Sequence, residues 1–163
     1  MLKDVFAKVQ AAIDAIPEGP YAAEDWGQLD YYEGRPPVTF PCVLYDICEA
    51  TYTNRSMNAQ DVRGKVRLRI ADYRPTNVSS KSPDALKIFK MYDLFRNVYV
   101  AVQGLSGETF SPLTRTSLQR VYREDGIREF LMDFEFEAID NDAVKRTKTV
   151  KRELALKFEK KVN

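Results

Sequence analysis

Apolar residues open the chain at Leu2, Val5, Phe6, Val9, Ala12, Ile13 and Ile16, mostly three and four apart. One face of a 3.6-residue helix carries them all, so the spacing predicts an amphipathic helix stopped by Pro17. From Pro17 to Pro37 the chain is punctuated by PEGP and GRPP, and no regular element is expected to cross it. The same stretch holds Trp26, Tyr31 and Tyr32, too aromatic for a simple linker. It predicts an ordered loop lying on the body or on a neighbouring chain.

Val38–Ile47 reads as a strand, with Pro41 marking a sheet edge or the strand's beginning because it lacks a donor N–H. Glu49–Gln60 is polar and turn-rich. Then Val62, Val66, Leu68 and Ile70 alternate with Arg63, Lys65, Arg67 and Arg69, a period-two strand with one buried face and one row of four cations. Ser82-Pro83-Asp84 combines a capping hydroxyl, a first-turn proline and an acid, and so predicts a helix start. Ile88, Tyr92, Phe95, Tyr99 and Val102 form its expected core stripe, widened by Leu86, Phe89, Leu94 and Val98, with Gly104 as its stop.

Two strands follow, Thr114–Arg123 and Ile127–Ile139, joined at Asp125-Gly126. A tight turn there sets Val121 opposite Phe130, Gln119 opposite Met132 and Ser117 opposite Phe134, with Arg120 diagonal to Glu129 and Asp133. Phe130, Met132, Phe134, Phe136 and Ala138 form the inner face of the last strand; Leu131, Asp133, Glu135 and Glu137 point outward. The fold class predicted is α+β: a mostly antiparallel sheet of about four strands, with the N-terminal helix and one long helix on one face, in the order α-β-β-α-β-β. Residues 1–139 form one domain and residues 140–163 a basic extension, whose apolar positions fit helix and strand equally.

Composition narrows the chemistry. The 163 residues are 44% apolar and 30% charged, as in an ordinary globular protein. No apolar run reaches the roughly 20 residues of a bilayer helix. Charged residues interrupt the N-terminal stripe, so synthesis and folding in a cytoplasm are expected, without membrane partners. Histidine is absent, which removes Ser-His and Cys-His nucleophile pairs and imidazole metal sites. Cys42 and Cys48 are too few for a disulfide framework and are expected as small, half-buried residues. Eight basic residues against two acidic between Lys145 and Lys161 give this tail +6, leaving −5 for the rest of the chain.

The cation row invites a phosphate track, but Asp133, Glu135 and Glu137 recur at the same spacing and favour pairing within the sheet or across subunits. The three acids share one line rather than a cage, a poor geometry for a metal-dependent nuclease. The loop 104–108 follows a helix instead of opening one and lacks a Gly-Lys-Ser/Thr ending, so it is no phosphate cradle. No catalytic residue, cofactor or metal is called for. The expected business is binding other chains, through Arg63, Lys65, Arg67, Arg69, Asp133, Glu135, Glu137, Trp26, Tyr31 and Tyr32.

FPCVLYDI (Phe40–Ile47), VRLRIADY (Val66–Tyr73) and LSGETFSPLTRTSLQRVYREDGIREFLMDFEFEA (Leu105–Ala138), with one long helix between, resemble phage tail-terminator and head–tail-joining proteins. The resemblance covers Val38 to Ile139 and rests on element order and loose strand motifs. It implies a non-enzymatic subunit that closes into a ring, of six copies, at the head-proximal end of a tail tube. Its partners would be its own copies, the tube protein and the head connector, with DNA passing through unbound. It would assemble in the host bacterial cytoplasm and end in the virion tail, and its exposed carboxylates are expected to line the ring opening. A cytoplasmic adaptor whose basic tail engages an acidic partner is the alternative.

Overall fold

In the computed structural model, residues 1–17, 19–31, 33–73, 79–82 and 85–144 are described. The expected Pro83-Asp84 helix start, the side chain of Ile88, Tyr32 and the basic tail from 145 onward lie outside the described residues. Helix α1 spans Leu2–Asp14, followed by strands β1 (Tyr21–Glu24), β2 (Cys42–Ser56) and β3 (Ala59–Tyr73). Helix α2 spans Lys87–Val102, and strands β4 (Thr114–Val121) and β5 (Ile127–Asp140) complete the order. They build one five-stranded sheet, β1-β2-β3-β5-β4, parallel at β1–β2 and antiparallel elsewhere.

The period-two pattern decides the sheet's two faces. Val43, Tyr45 and Ile47 of β2 lie beside Ile70, Leu68 and Val66 of β3, which face Phe130, Met132 and Phe134 of β5. Beneath these side chains lie both helices: Val5, Val9 and Ile13 from α1, and Met91, Phe95, Val98 and Val102 from α2. Phe6 meets Tyr45 at 4.8 Å between ring centroids, and Phe95 meets Phe130 at 4.5 Å, both tilted as aromatic quadrupoles prefer. The opposite face carries the charge rows. Among the described residues, one end of it is covered by a small cluster of Leu29, Cys42, Leu44, Ala71 and Ile127 with Val38 and Phe40.

Four sequence expectations change. The stretch 17–37 contains a strand after all: β1 adds Tyr21–Glu24 to Cys42–Tyr45, giving a fifth strand. Glu49–Gln60, expected as polar and turn-rich, is the far half of a long β2–β3 hairpin, strand except for a single turn at Met57 and Asn58. Both have positive φ, 50° and 66°, the sign a two-residue hairpin turn requires to match strand twist. On α2 the buried spine is Met91, Phe95, Val98 and Val102, leaving Phe89 and Tyr92 exposed at 58% and 56%. A helix advances 100° per residue, so placing Met91 inward turns Tyr92 away.

The β4–β5 register is also one residue off: Val121 lies opposite Glu129, Gln119 opposite Leu131, and Arg120 opposite Phe130. One residue of slip moves the side chains of Ser117–Val121 to the other face, and the register shift between Arg115 and Ser117 leaves Thr114 and Arg115 on the expected one. The cause is Arg123, which leaves the hairpin to bind Asp125, Asp30 and Glu129, widening the connection to residues 122–126. Asp125 Oδ1 also accepts the Ile127 N–H at 3.2 Å, and Gly126 turns at φ 78°. At the helix end, Gly104 has φ 78°, as expected of a glycine stop, while its N–H donates outside the helix to the Leu113 carbonyl at 2.8 Å.

Candidate protein-interaction surface

Because β3 and β5 are antiparallel neighbours, the register sets Arg63 opposite Glu137, Lys65 opposite Glu135 and Arg67 opposite Asp133. The two charge rows therefore meet inside one chain. Arg63 Nε reaches Glu137 at 3.1 Å, Lys65 Nζ reaches Glu49 of β2 at 3.3 Å, and Arg67 grips Asp133 with two parallel bonds of 2.8 and 2.9 Å. Burial rises along the ladder. The Arg63–Glu137 side chains are 81% and 68% exposed, those of Arg67–Asp133 37% and 10%, those of Arg69–Glu129 11% and 1%. The first pair contributes at most about 1 kcal/mol. Breaking the last by removing one partner costs about 3–5 kcal/mol, because the other charge stays buried.

Arg69 has no acid directly across from it; Leu131 is there. Its guanidinium instead donates to Glu129 at 2.7 Å and to both Asp30 oxygens at 2.7 and 3.0 Å, with Asp25 at 3.4 Å. Arg123 joins from the β4–β5 connection, donating to Asp30 and Glu129 at 2.9 Å each, to Asp125 at 2.6 Å and to the Leu29 carbonyl. Two guanidiniums thus bind the 25–30 loop, β3 and β5 into one network. Asp30 sits below the usual carboxylate range, chiefly because Arg69 donates to it, which outweighs the opposing effect of burial. Asp133 is lowered likewise by its bonds from Arg67. Glu129 is in phase with Asp133, Glu135 and Glu137, and that phase was the one sequence signal pointing to this network.

The expected interface residues accordingly divide. Arg69 and Asp133 are engaged within the chain, so Asp133 is no free carboxylate for a ring lining. Arg67 and Lys65 are half-buried, and Arg63, Glu135 and Glu137 are exposed. In the aromatic loop, Leu29 and Gln28 are buried and anchor it, the Gln28 amide donating to the Glu24 carbonyl at 2.8 Å. Trp26 and Tyr31 stand outward, 63% and 78% exposed. Cys42 is buried as a small residue is expected to be, whereas Cys48 is exposed. Cys48 sits at a bulge between Ile47 and Glu49, where the extra residue leaves the ladder.

Sequence reasoning missed the sheet's two open edges. β1 covers β2 only at Cys42–Tyr45, so among the described residues Asp46–Ser56 has no strand on its outer side. At the other end of the order, β4 presents TRTSLQRV, exposed from Thr114 to Arg120, with Arg115 and Arg120 and no acid. Beside it on the helix face stand Leu118 and Tyr122, 47% and 83% exposed. Arg120 bridges their surroundings, lying 4.8 Å from the Tyr122 ring and 5.9 Å from that of Phe130. Arg115 stacks on Tyr99 at 3.9 Å.

Among the described residues, no helix is long and apolar enough to cross a membrane. No family model matches the chain, and no curated protein matches it. Among solved structures, the chain is similar to one from the "Virion of native gene transfer agent (GTA) particle", with 7% identity, a TM-score of 0.48, and cover of 85% of this chain and 93% of that one.

Proposed function

We propose that this protein is a structural subunit of a phage tail that closes into a ring of its own copies at the end of the tail tube, ends tube growth and joins tail to head. The observation that carries the ring is the pair of strand edges, on opposite sides of one sheet, that are open among the described residues. Unpaired strand edges are templates for pairing with another chain, and although β2 and β4 each carry a bulge, no strand covers either edge among the described residues. Here they differ from each other, as a head-to-tail interface requires. Strand directions alternate through β2, β3, β5 and β4. Rotating a copy about an axis along the strands therefore brings its β2 antiparallel to the first copy's β4, and the alternation continues unbroken.

The tail role itself rests on the element order and strand motifs described for Val38–Ile139. Six copies, contacts with tube protein and head connector, and assembly in the bacterial cytoplasm belong to the same reading. The charge ladder supports a non-sticking passage for DNA: the cations of its row, Arg63, Lys65, Arg67 and Arg69, are each matched by a carboxylate. Light scattering on the purified protein, alone and mixed with tail-tube subunits, tests the proposal. A closed oligomer that caps tube ends in negative-stain images is expected. A chain that stays monomeric and leaves tube length unchanged would refute it.

A further inference from the structure

Resting on that ring reading, we infer that the ridge Leu118–Arg120–Tyr122 docks a second copy of this chain, seating in a hollow beside the free part of that copy's β2. The hollow is shallow, about 270 Å³, and is walled by Leu2 and Phe6 of α1 and Ile47 of β2, with Lys3 and Glu24. Ridge and hollow lie on the same, helix-bearing face of the sheet. Leu118 pairs with Met132 and Arg120 with Phe130, both inward residues, and Ile47 pairs with inward Val66. They stand at opposite edges, so joining edge to edge brings one copy's ridge to the next copy's hollow.

The registers say where. Val121, Glu129, Ala71 and Cys42 share one row across the sheet, and Thr114, Glu135, Lys65 and Glu49 another. β4 thus stands level with Cys42–Glu49, but β1 already occupies Cys42–Tyr45. To pair with β2 of the next copy, β4 must slide by at least those four residues, about 13 Å. Arg120, level with Val43 in its own sheet, then lies beside Ile47 of the neighbour. Tyr122 falls near the end of the neighbour's β1, at Glu24, which pairs with Tyr45. A slide of about 13 Å over four strands, about 19 Å wide, tilts the strands by about 35°, within the range that closed barrels use.

Chemistry agrees with geometry. Tyrosine and arginine are enriched in the desolvated centres of interfaces. The exposed ridge supplies both plus a leucine, and the hollow supplies apolar walls with a carboxylate at Glu24. Asp46 and Glu49 of the free β2 stretch lie on the sheet's other face, Glu49 already held by Lys65 at 3.3 Å, so the carboxylate that meets Arg120 on the helix face is Glu24.

A charge swap in the full-length chain tests this, read by light scattering and sedimentation over a concentration series, with circular dichroism melts as the folding control. Arg120→Glu and Glu24→Arg are each expected to weaken self-association roughly tenfold or more, with the double variant recovering most of it. A disulfide between Tyr122→Cys and Phe6→Cys of different copies, in a Cys48→Ser background, should form in the assembled ring. Rings that persist unaltered in both single variants and yield no such disulfide overturn this docking while leaving the ring intact. A wild-type chain monomeric at every concentration, even with tube subunits, overturns both.

Discussion

Gly64 lies directly opposite Phe136 in the β3–β5 ladder, and the phenyl ring occupies the space a side chain at 64 would fill. A Cβ placed there would stand 2.2 Å from the ring. The gap in the Val62, Val66, Leu68, Ile70 alternation is thus closed from the neighbouring strand, an aromatic covering a strand glycine. Gly64→Ala should destabilise the fold by about 1–3 kcal/mol through overpacking, measured by urea unfolding. Combining it with Phe136→Leu should recover part of the loss; additive losses in the double variant would contradict the contact.

The charge ladder predicts unequal costs for similar substitutions. Glu129→Gln leaves two guanidiniums short of a buried partner and should cost about 3 kcal/mol or more. Arg63→Ala, at the exposed end, should change stability by less than about 1 kcal/mol. Equal effects of the two would show that burial does not grade the ladder.

Acid should loosen the charged face. Asp30 and Asp133 titrate below the ordinary carboxylate value because Arg69 and Arg67 donate to them. Their stabilisation is therefore complete above that ordinary value and is lost as pH falls through the depressed ones. Melting temperature should fall on the acid side, and Asp133→Asn should flatten that fall while lowering the neutral-pH value. An unchanged acid limb in Asp133→Asn would remove Asp133 from the account.

The thiols should separate under alkylation. Burial pushes the Cys42 thiol up to about 12, and no solvent reaches its residue in the fold. Cys48 is exposed, with its thiol raised by partial burial. Maleimide mass labelling of native protein should modify Cys48 alone, faster as pH rises, and both only after denaturation. Native labelling of Cys42 would mean that its cluster opens readily.

Local pattern decided a good deal. The three-and-four spacing placed α1 and its buried Val5, Val9 and Ile13, and strict alternation told which face of β3 and β5 is core. Those signals are carried by residues close in sequence, and burying an apolar stripe leaves one choice of face. The α+β class followed from them, as did the cations and carboxylates at matching intervals. What no local spacing could say is which strand lies beside which. β1 is a four-residue strand made by parallel pairing to β2 across a loop, and its own sequence, YAAE, has no strand period. The β4 register turned on Arg123 reaching Leu29, Asp30 and Glu129, partners far along the chain or across the sheet. The α2 face turned on Met91 fitting the core better than Tyr92, a choice between adjacent residues that a helical stripe leaves open. The free edges, finally, are a property of the assembled sheet: a strand's backbone is open only once the others have taken their places.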